Sequence, residues 1–347
     1  MTTTMEKTTP AVNPAFTLGA SWLAWITENS RLGVAEKEMI TAMMARGCPE
    51  GEASVLVRAF SIHAGVSKIG STRLEKTKWL LESLRNLQGS GGFDPCSERG
   101  SINASEFFDS FHSRNFPVVY RAGLSPANLS NHLSWSRLET DFSDLEVEVQ
   151  EGRSSRADYE RSSNELKSRA RLADFLQRAQ SAGESNDFYM TANNSSANAA
   201  LIEAAIKPES VCPELLDGNK AHGHVFLWIG PCGTFTPAHH DLTNNLFLQA
   251  HGSKEFRLAS SLALLDLDND RHCYLASSLS DNDERRRVEG LEPLSFTVTL
   301  EAGDVLFIPL GWWHEVRGLS PSISLSATNF RARNDFYQTY EFFGGLK

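Results

Sequence analysis

The sequence predicts a mainly β fold with helical additions, in which a helical N-terminal module precedes a sheet-forming region. Apolar residues recur at helical spacing over residues 15–90. From residue 222 onward, short apolar runs punctuated by glycine and proline dominate instead. Many short strands with few intervening helices are typical of an all-β sandwich or barrel.

The composition bounds the class of protein. The chain has 347 residues, enough for one large domain and a smaller one. Its formal net charge of −10 lacks the basic footprint of nucleic-acid-binding proteins, so we expect no nucleic-acid partner. We see neither an apolar run of membrane-spanning length nor a signal-peptide core, and therefore expect no membrane partner and a cytoplasmic location.

The cysteines agree with that location. The chain has five, without a CxxC pair, which indicates reduced thiols rather than a disulfide framework. They are Cys48, Cys96, Cys212, Cys232 and Cys273.

The N-terminal region divides into a tail and a helical module. Residues 1–14 are predicted to be a disordered tail. Four apolar stripes predict four short helices within a module at 15–95, which ends in the glycine-rich stretch 89–95. One stripe is predicted to end near Gly65. Three roles stay open for the module: peptide binding, formation of a homodimer, or bracing of the domain that follows.

Residues 101–347 are predicted to form the second domain. Its first half should hold a helix at 105–114, strands at 116–120, 145–150 and 187–191, an exposed loop at 151–163 and a helix at 166–182. Its second half should hold strands at 224–230, 238–248, 255–258, 294–300, 305–308 and 322–329. The long segment 262–293 is predicted to be a solvated loop, with a lid or substrate platform as the alternative.

The motif Thr236-Pro-Ala-His-His-Asp241 carries the strongest chemical signal. Side chains alternate along a strand, so His239 and Asp241 should point to one face and His240 to the other. A distant His314 follows the predicted buried strand 305–308. Two histidines and one carboxylate form the ligand set of a facial triad, which favours non-haem Fe(II).

Alternatives to this metal site stay open. His314 on its own could be a core histidine, and affinity alone does not exclude a zinc or manganese site. His222 and His224 could share a strand face, but no carboxylate follows them at matching spacing. His251 lies next to a glycine, where a turn or solvent exposure is expected.

The motif Thr236–Asp241 belongs to a larger pattern along the chain. The other members of this pattern are Asn245, Gly252, Lys254, Gly303–Pro309, Trp312–His314 and Asn329. Over roughly residues 105–330, the sequence thereby resembles the cupin-like, Jumonji-C-type Fe(II)/2-oxoglutarate-dependent oxygenases. Within that family it most resembles the asparaginyl hydroxylases of hypoxia-inducible factor.

The resemblance implies a fold and a set of site residues. The fold would be a double-stranded β-helix, a jelly-roll barrel with the metal at its open mouth. His239, Asp241 and His314 would be the metal ligands. The co-substrate would be held by Lys254 and Thr236 at its distal carboxylate, by Tyr189 closing that pocket, and by Asn245 and Asn329 near its metal-bound end.

The same resemblance implies an activity. With Fe(II), 2-oxoglutarate and O2, the enzyme would hydroxylate a side-chain carbon of a residue in a peptide or protein. Demethylation is not separated from this outcome, because it proceeds by hydroxylation of an N-methyl carbon. Two alternatives stay open: the same chemistry on a free amino acid or natural-product small molecule, and a non-catalytic cupin-like binding protein.

Two features bear on the substrate. The acidic residues within 266–284 would suit a cationic substrate. Arg331 and Arg333 follow Asn329, where the hypoxia-factor hydroxylases have an aromatic pair. The sequence departs from that subfamily at these positions, which bears on the choice of substrate.

Overall fold

The structure, a computed structural model, describes residues 20–31, 34–90, 96–122, 133–207, 210–271 and 273–339. It divides into two compact units, Met1–Leu84 and Arg85–Lys347. The predicted tail at 1–14 and part of the predicted linker, residues 91–95, lie outside the described residues. None of the described helices has both the length and the apolar character needed to cross a membrane.

The helices of the N-terminal region are α1 (Ala20–Arg31), α2 (Glu36–Met44) and α3 (Glu50–Ser90). The predicted break near Gly65 is wrong, because α3 continues without interruption for 41 residues. No proline occurs in this stretch, and an interior glycine costs a helix only about 1 kcal/mol. A small apolar core forms here from Trp22, Ile26, Met39, Met43, Cys48, Ala53 and Val57.

The second unit is built mainly from strands, with several helices. In chain order the strands are β1 (Ser97–Arg99), β2 (Val118–Tyr120), β3 (Glu146–Glu151), β4 (Lys167–Arg171), β5 (Phe188–Tyr189), β6 (Val225–Gly230), β7 (Phe235–His239), β8 (Asn245–His251), β9 (Lys254–Ala259), β10 (Asn269–Arg271), β11 (Tyr274–Leu275), β12 (Ser295–Leu300), β13 (Val305–Ile308), β14 (Trp313–Gly318) and β15 (Ser322–Ala327). The helices are α4 (Ala104–Glu106), continued by a π-helical turn at Phe107–His112, then α5 (Trp135–Asp141), α6 (Leu172–Ser181), α7 (Ala199–Ile206) and α8 (Leu279–Val288). The predicted mainly β class with helical additions is confirmed at this level.

Two six-stranded sheets carry the second unit. The first has the order β1-β2-β13-β8-β15-β6, and the second has the order β10-β11-β7-β14-β9-β12. A third, smaller sheet has three strands in the order β4-β3-β5. Strand pairs are antiparallel except for the short parallel pair β1 and β2.

Side chains of the two large sheets meet in a common core. Phe247 of the first sheet packs edge-on against Phe256 of the second, with ring centroids 4.8 Å apart. Both faces of strand β13 are buried, which explains its unbroken apolar sequence. Leu306 contributes to the core shared by the sheets, whereas Phe307 packs on the other side against Phe107 of the π-helical turn.

Two predicted elements of the second unit differ from the structure. The helix expected over 166–182 begins only at Leu172, because Lys167–Arg171 pairs with β3 as a strand. Cross-strand ion pairs favour the strand here: Arg169 lies 2.6 Å from Glu146, and Lys167 lies 3.3 Å from Glu148. The strand expected over 238–248 is divided into β7 and β8, so Asp241 lies in the connection between them.

The segment 262–293 is not the solvated loop that the sequence predicts. It contains β10, β11 and helix α8, whose first turn is capped by the Ser278 hydroxyl accepting from the Asp281 amide at 3.0 Å. Asp283 is buried, and its carboxylate accepts from the backbone amide of Leu294 at 2.8 Å. At least this acidic side chain stabilises the fold instead of attracting a cationic substrate.

Candidate metal centre and its cavity

The register between two strands places the predicted triad. His239 is the last residue of β7 and lies directly opposite His314 of β14. Asp241 follows two residues after His239, just past the end of the strand. One potential ligand atom from each of the three side chains lies within 4.8 Å of the others. In the described part of the chain, this is the one group of three or more such side chains close enough to share an ion.

Hydrogen bonds select the ring nitrogen that each histidine presents. Nδ1 of His239 lies 2.7 Å from the Pro237 carbonyl oxygen, and Nδ1 of His314 lies 3.0 Å from that of Trp312. Because a carbonyl oxygen can only accept, each Nδ1 carries the proton and donates it. Each Nε2 is left with its lone pair, which is the tautomer that a metal ligand requires.

The charges of the triad suit a divalent cation. Burial and the neighbouring His239 lower the pKa of His314 to about 4, so this imidazole is neutral near pH 7. For Asp241, burial opposes ionisation, but His314, His239 and the Asn245 amide outweigh it and lower the pKa of the carboxyl group. Two imidazole nitrogens and one carboxylate therefore converge.

The other histidines of the sequence motifs do not join the triad. His240 turns to the opposite side and packs edge-on against Trp313, with ring centroids 4.6 Å apart. His222 is exposed and pairs with Glu203 at 2.6 Å, and His224 pairs with Thr328 at 3.2 Å. His251 is half-buried at the end of β8.

A cavity of about 860 Å³ opens onto the triad. Its lining includes every residue that the sequence assigns to the site: Tyr189, Thr236, His239, Asp241, Asn245, Lys254, His314 and Asn329. The structure therefore brings all eight side chains to one place.

Lys254 is a buried cation on the cavity wall. Its side chain is 1% exposed, and its Nζ donates to the Tyr189 hydroxyl at 2.9 Å. Among the described residues, no carboxylate lies within ion-pair distance of it. Burial lowers the pKa of Lys254 to about 7. A charged ammonium held this way is costly unless an anion pairs with it, so the cavity is suited to a carboxylate ligand.

The two asparagines differ in their contacts. The Asn245 amide donates to the Asp241 carboxylate at 3.2 Å and thereby orients a triad member. The Asn329 amide donates to the Asp217 carbonyl at 2.9 Å, a structural contact at the cavity edge. Both side-chain oxygens are buried without a hydrogen-bond partner among the described residues, so each is free to accept from a ligand.

Sequence reasoning missed Arg153, which lies in the predicted exposed loop 151–163. Its side chain is fully buried and pairs with Glu160 at 3.1 Å. It also donates to the Phe235 carbonyl at the start of β7, at 2.9 Å. Its guanidinium lies 5.3 Å from the Tyr189 ring centroid, and the Lys254 ammonium lies 5.4 Å from the same point. Arg153 thus fixes both β7 and the tyrosine that contacts Lys254.

Tyr274 is a second site residue that the sequence patterns did not reveal. It lies on β11 in register with His239, and the two rings stack with centroids 5.9 Å apart. Its ring also lines the cavity. The segment 262–293 therefore contributes a wall beside the triad.

Residues 104–336 match the model of the cupin-like domain family. Since this match covers most of the chain, the protein belongs to the cupin-like domain family.

Curated relatives refine this assignment. The chain is 38% identical over 103 residues to Lysine-specific demethylase JMJ30 of Arabidopsis thaliana, covering 28% of this chain and 24% of that protein. It is 34% identical over 108 residues to Jumonji C domain-containing protein 5 of Drosophila melanogaster, covering 28% and 26%. It is 32% identical over 108 residues to Lysine-specific demethylase 8 of Xenopus tropicalis, covering 28% and 23%. The predicted Jumonji-C-type relationship is confirmed, although the alignments span only about a quarter of these relatives.

Proposed function

We propose that the protein is an Fe(II)- and 2-oxoglutarate-dependent oxygenase that hydroxylates a side-chain carbon of a residue in a peptide or protein. One observation carries the proposal: the triad of His239, Asp241 and His314 opens into the same cavity as the buried, carboxylate-free Lys254. The common core of the two six-stranded sheets supports the jelly-roll arrangement that such an enzyme would use.

The residues present fit iron. The Nε2 atoms of His239 and His314 and the Asp241 carboxylate would hold the ion. Bound Fe(II) supplies the centre at which O2 and 2-oxoglutarate give succinate and CO2, with one oxygen atom inserted into a substrate C–H bond. The backbone carbonyls of Pro237 and Trp312 keep both imidazoles in the ligating tautomer throughout.

The same cavity fits 2-oxoglutarate. Lys254 would pair with the distal carboxylate of the co-substrate and so recover the cost of its own burial. Thr236 is buried on the same wall and offers a hydroxyl donor. Tyr189 holds the ammonium in place before binding, which reduces the side-chain ordering needed on association.

Turnover of the co-substrate tests this function. The purified chain would be incubated with Fe(II), ascorbate, O2 and 2-oxoglutarate, with and without a cell extract as the source of substrate. We expect succinate to form, to increase with the extract, and to stop when Fe(II) is replaced by a chelator. If 2-oxoglutarate is never converted to succinate, even with the extract, the proposal is wrong and a non-catalytic binding protein is favoured.

Demethylation is a second candidate, because two of the relatives are named lysine-specific demethylases. Mass spectrometry of the extract after turnover separates the outcomes. Hydroxylation adds one oxygen atom to a peptide, whereas demethylation removes one methylene equivalent and releases formaldehyde. A gain of oxygen on a free metabolite, with no change in any peptide, would instead favour a small-molecule substrate.

A further inference from the structure

The outer wall of the cavity carries a group of cations, here called the basic rim and defined as Lys220, Arg331 and Arg333. All three side chains are exposed and line the cavity. Among its acidic lining residues, Asp241 belongs to the triad and Glu160 is paired with Arg153. Asp335 is thus the remaining acid of the described lining. Asp217, which is not a lining residue, lies 3.5 Å from the Lys220 ammonium, so the three rim cations keep a net excess of one positive charge over Asp217 and Asp335. This excess is notable in a chain whose formal net charge is −10.

The backbone that carries the two rim arginines is attached to the connection between β7 and β8, which carries Asp241. The Asn334 side chain accepts from the Asn244 backbone amide at 2.7 Å and donates to the Asn244 carbonyl at 2.9 Å. It also donates to the Thr328 carbonyl at 2.7 Å. Asn244 lies three residues after Asp241, in the connection between β7 and β8. The backbone next to Arg333 is therefore fixed to the connection that carries Asp241.

The rim arginines differ in how much of their charge is already paired. Nε of Arg333 lies 2.6 Å from the Asp335 carboxylate. Nε of Arg331 donates to the Pro213 carbonyl at 2.8 Å, which orients the guanidinium without neutralising it. Among the described residues, Arg331 has no carboxylate partner. Its two terminal nitrogens are thus available for the bidentate contact that guanidinium groups make with carboxylates.

We propose that the basic rim binds an acidic side chain of the target, so that the enzyme selects peptides with Asp or Glu near the residue it modifies. This inference rests on the proposed function, because the rim lines the cavity that contains the triad. A peptide carboxylate is favoured over a nucleic-acid phosphate backbone, since the overall negative charge of the chain opposes a long polyanion.

Two fluorescein-labelled peptide pools test the inference by anisotropy. The pools share the same randomised positions and differ only at fixed positions, which hold Asp and Glu in one pool and Lys and Arg in the other. The full chain would carry Mn(II) and 2-oxoglutarate, with oxygen excluded. We expect the acidic pool to bind about tenfold more tightly than the basic pool, and the difference to shrink with added salt.

Matched double variants assign the effect to the rim. We expect Arg331→Gln with Arg333→Gln to weaken binding of the acidic pool about three- to tenfold, the range for two exposed ion pairs. The control is Arg286→Gln with Arg287→Gln on α8, outside the cavity lining. It reproduces both environments, because Arg286 donates to the Glu292 carbonyl at 2.8 Å and Arg287 pairs with Glu284 at 3.1 Å. This control should bind the acidic pool like the wild type.

The inference would be overturned by equal binding of the two pools, by equal loss in the rim and control variants, or by tighter binding of a short RNA of equal charge. An absence of detectable binding by either pool would overturn it as well. These failures differ from failure of the proposed function, which is measured separately as wild-type conversion of 2-oxoglutarate to succinate.

Discussion

The inner and outer ends of the cavity both present cations, but they differ in solvent exposure. Lys254 at the inner end is 1% exposed, whereas the Arg333 side chain at the rim is 62% exposed. An unpaired charge costs several kcal/mol in a buried site and little in water. The inner cation therefore requires one specific anion, while the outer cations can only bias the choice among ligands that already fit.

Removal of a triad member should have the largest effect. We expect His239→Ala or Asp241→Ala to abolish 2-oxoglutarate turnover, because either change removes a proposed metal ligand that no other group in the described part of the chain replaces. Turnover and Fe(II) binding would both be measured. His240→Ala is the matched control on the same motif, since its ring packs away from the triad against Trp313. A His239 variant that keeps the wild-type rate would remove that residue from the site.

Loss of the inner cation should rank next. Lys254→Met should weaken 2-oxoglutarate binding by about 3–5 kcal/mol, the cost of leaving a buried charge without its partner. Calorimetric titration of the Mn(II)-loaded protein measures this affinity directly. Lys220→Met removes a rim cation that is 67% exposed and should leave the affinity nearly unchanged. Equal losses in both variants would contradict the distinction between the two ends.

Arg153 extends the comparison from ligand binding to folding. Arg153→Met should lower the free energy of unfolding by about 3–5 kcal/mol, because Glu160 would be left buried and unpaired. The free energy would be obtained from urea denaturation followed by tryptophan fluorescence. Arg156→Gln in the same segment also removes ion pairs, but these are on the surface, and its midpoint should stay close to that of the wild type. A stable Arg153 variant would make this residue dispensable.

The dependence of 2-oxoglutarate affinity on pH should be the smallest and most gradual effect. Burial lowers the pKa of ligand-free Lys254 to about 7, and a bound carboxylate requires the protonated ammonium. Binding above this pKa must therefore take up a proton, so affinity should fall with rising pH by at most about tenfold per unit. Below the pKa the lysine is already charged, and it should add no further dependence. Titrations of 2-oxoglutarate into the wild type at pH values above and below about 7 would measure this pH dependence of the affinity. Lys254→Met should abolish it.

Sequence reasoning reached the triad because strand alternation is a local rule. His239 and Asp241 are two residues apart, so the expectation of a common face needed only that spacing. In the structure Asp241 lies just past the end of β7 and still reaches the triad. The roles expected for Lys254, Thr236 and Tyr189 came from family resemblance, and the structure places them in the same cavity. These roles are still predictions, since burial and proximity do not measure binding.

The missed features depend on contacts between distant parts of the chain. The buried Arg153 donates hydrogen bonds to the backbone carbonyls of Asn186 and Phe235. No periodicity within 151–163 could reveal these contacts. Tyr274 joins the site only because β11 pairs with β7. Helix α3 passes through the expected break near Gly65, because the cost of one interior glycine is small beside the cooperativity of a long helix.

The pairing of His239 with His314 has a consequence for the durability of the fold. These residues are 75 positions apart in sequence but share one rung of the second sheet. An ion bound at this rung would act as a removable cross-link that closes a long loop of the chain. Because it would bind the folded chain and not the unfolded one, resistance to heat would depend on the concentration of free metal, and chelation would loosen the same strands that carry the chemistry.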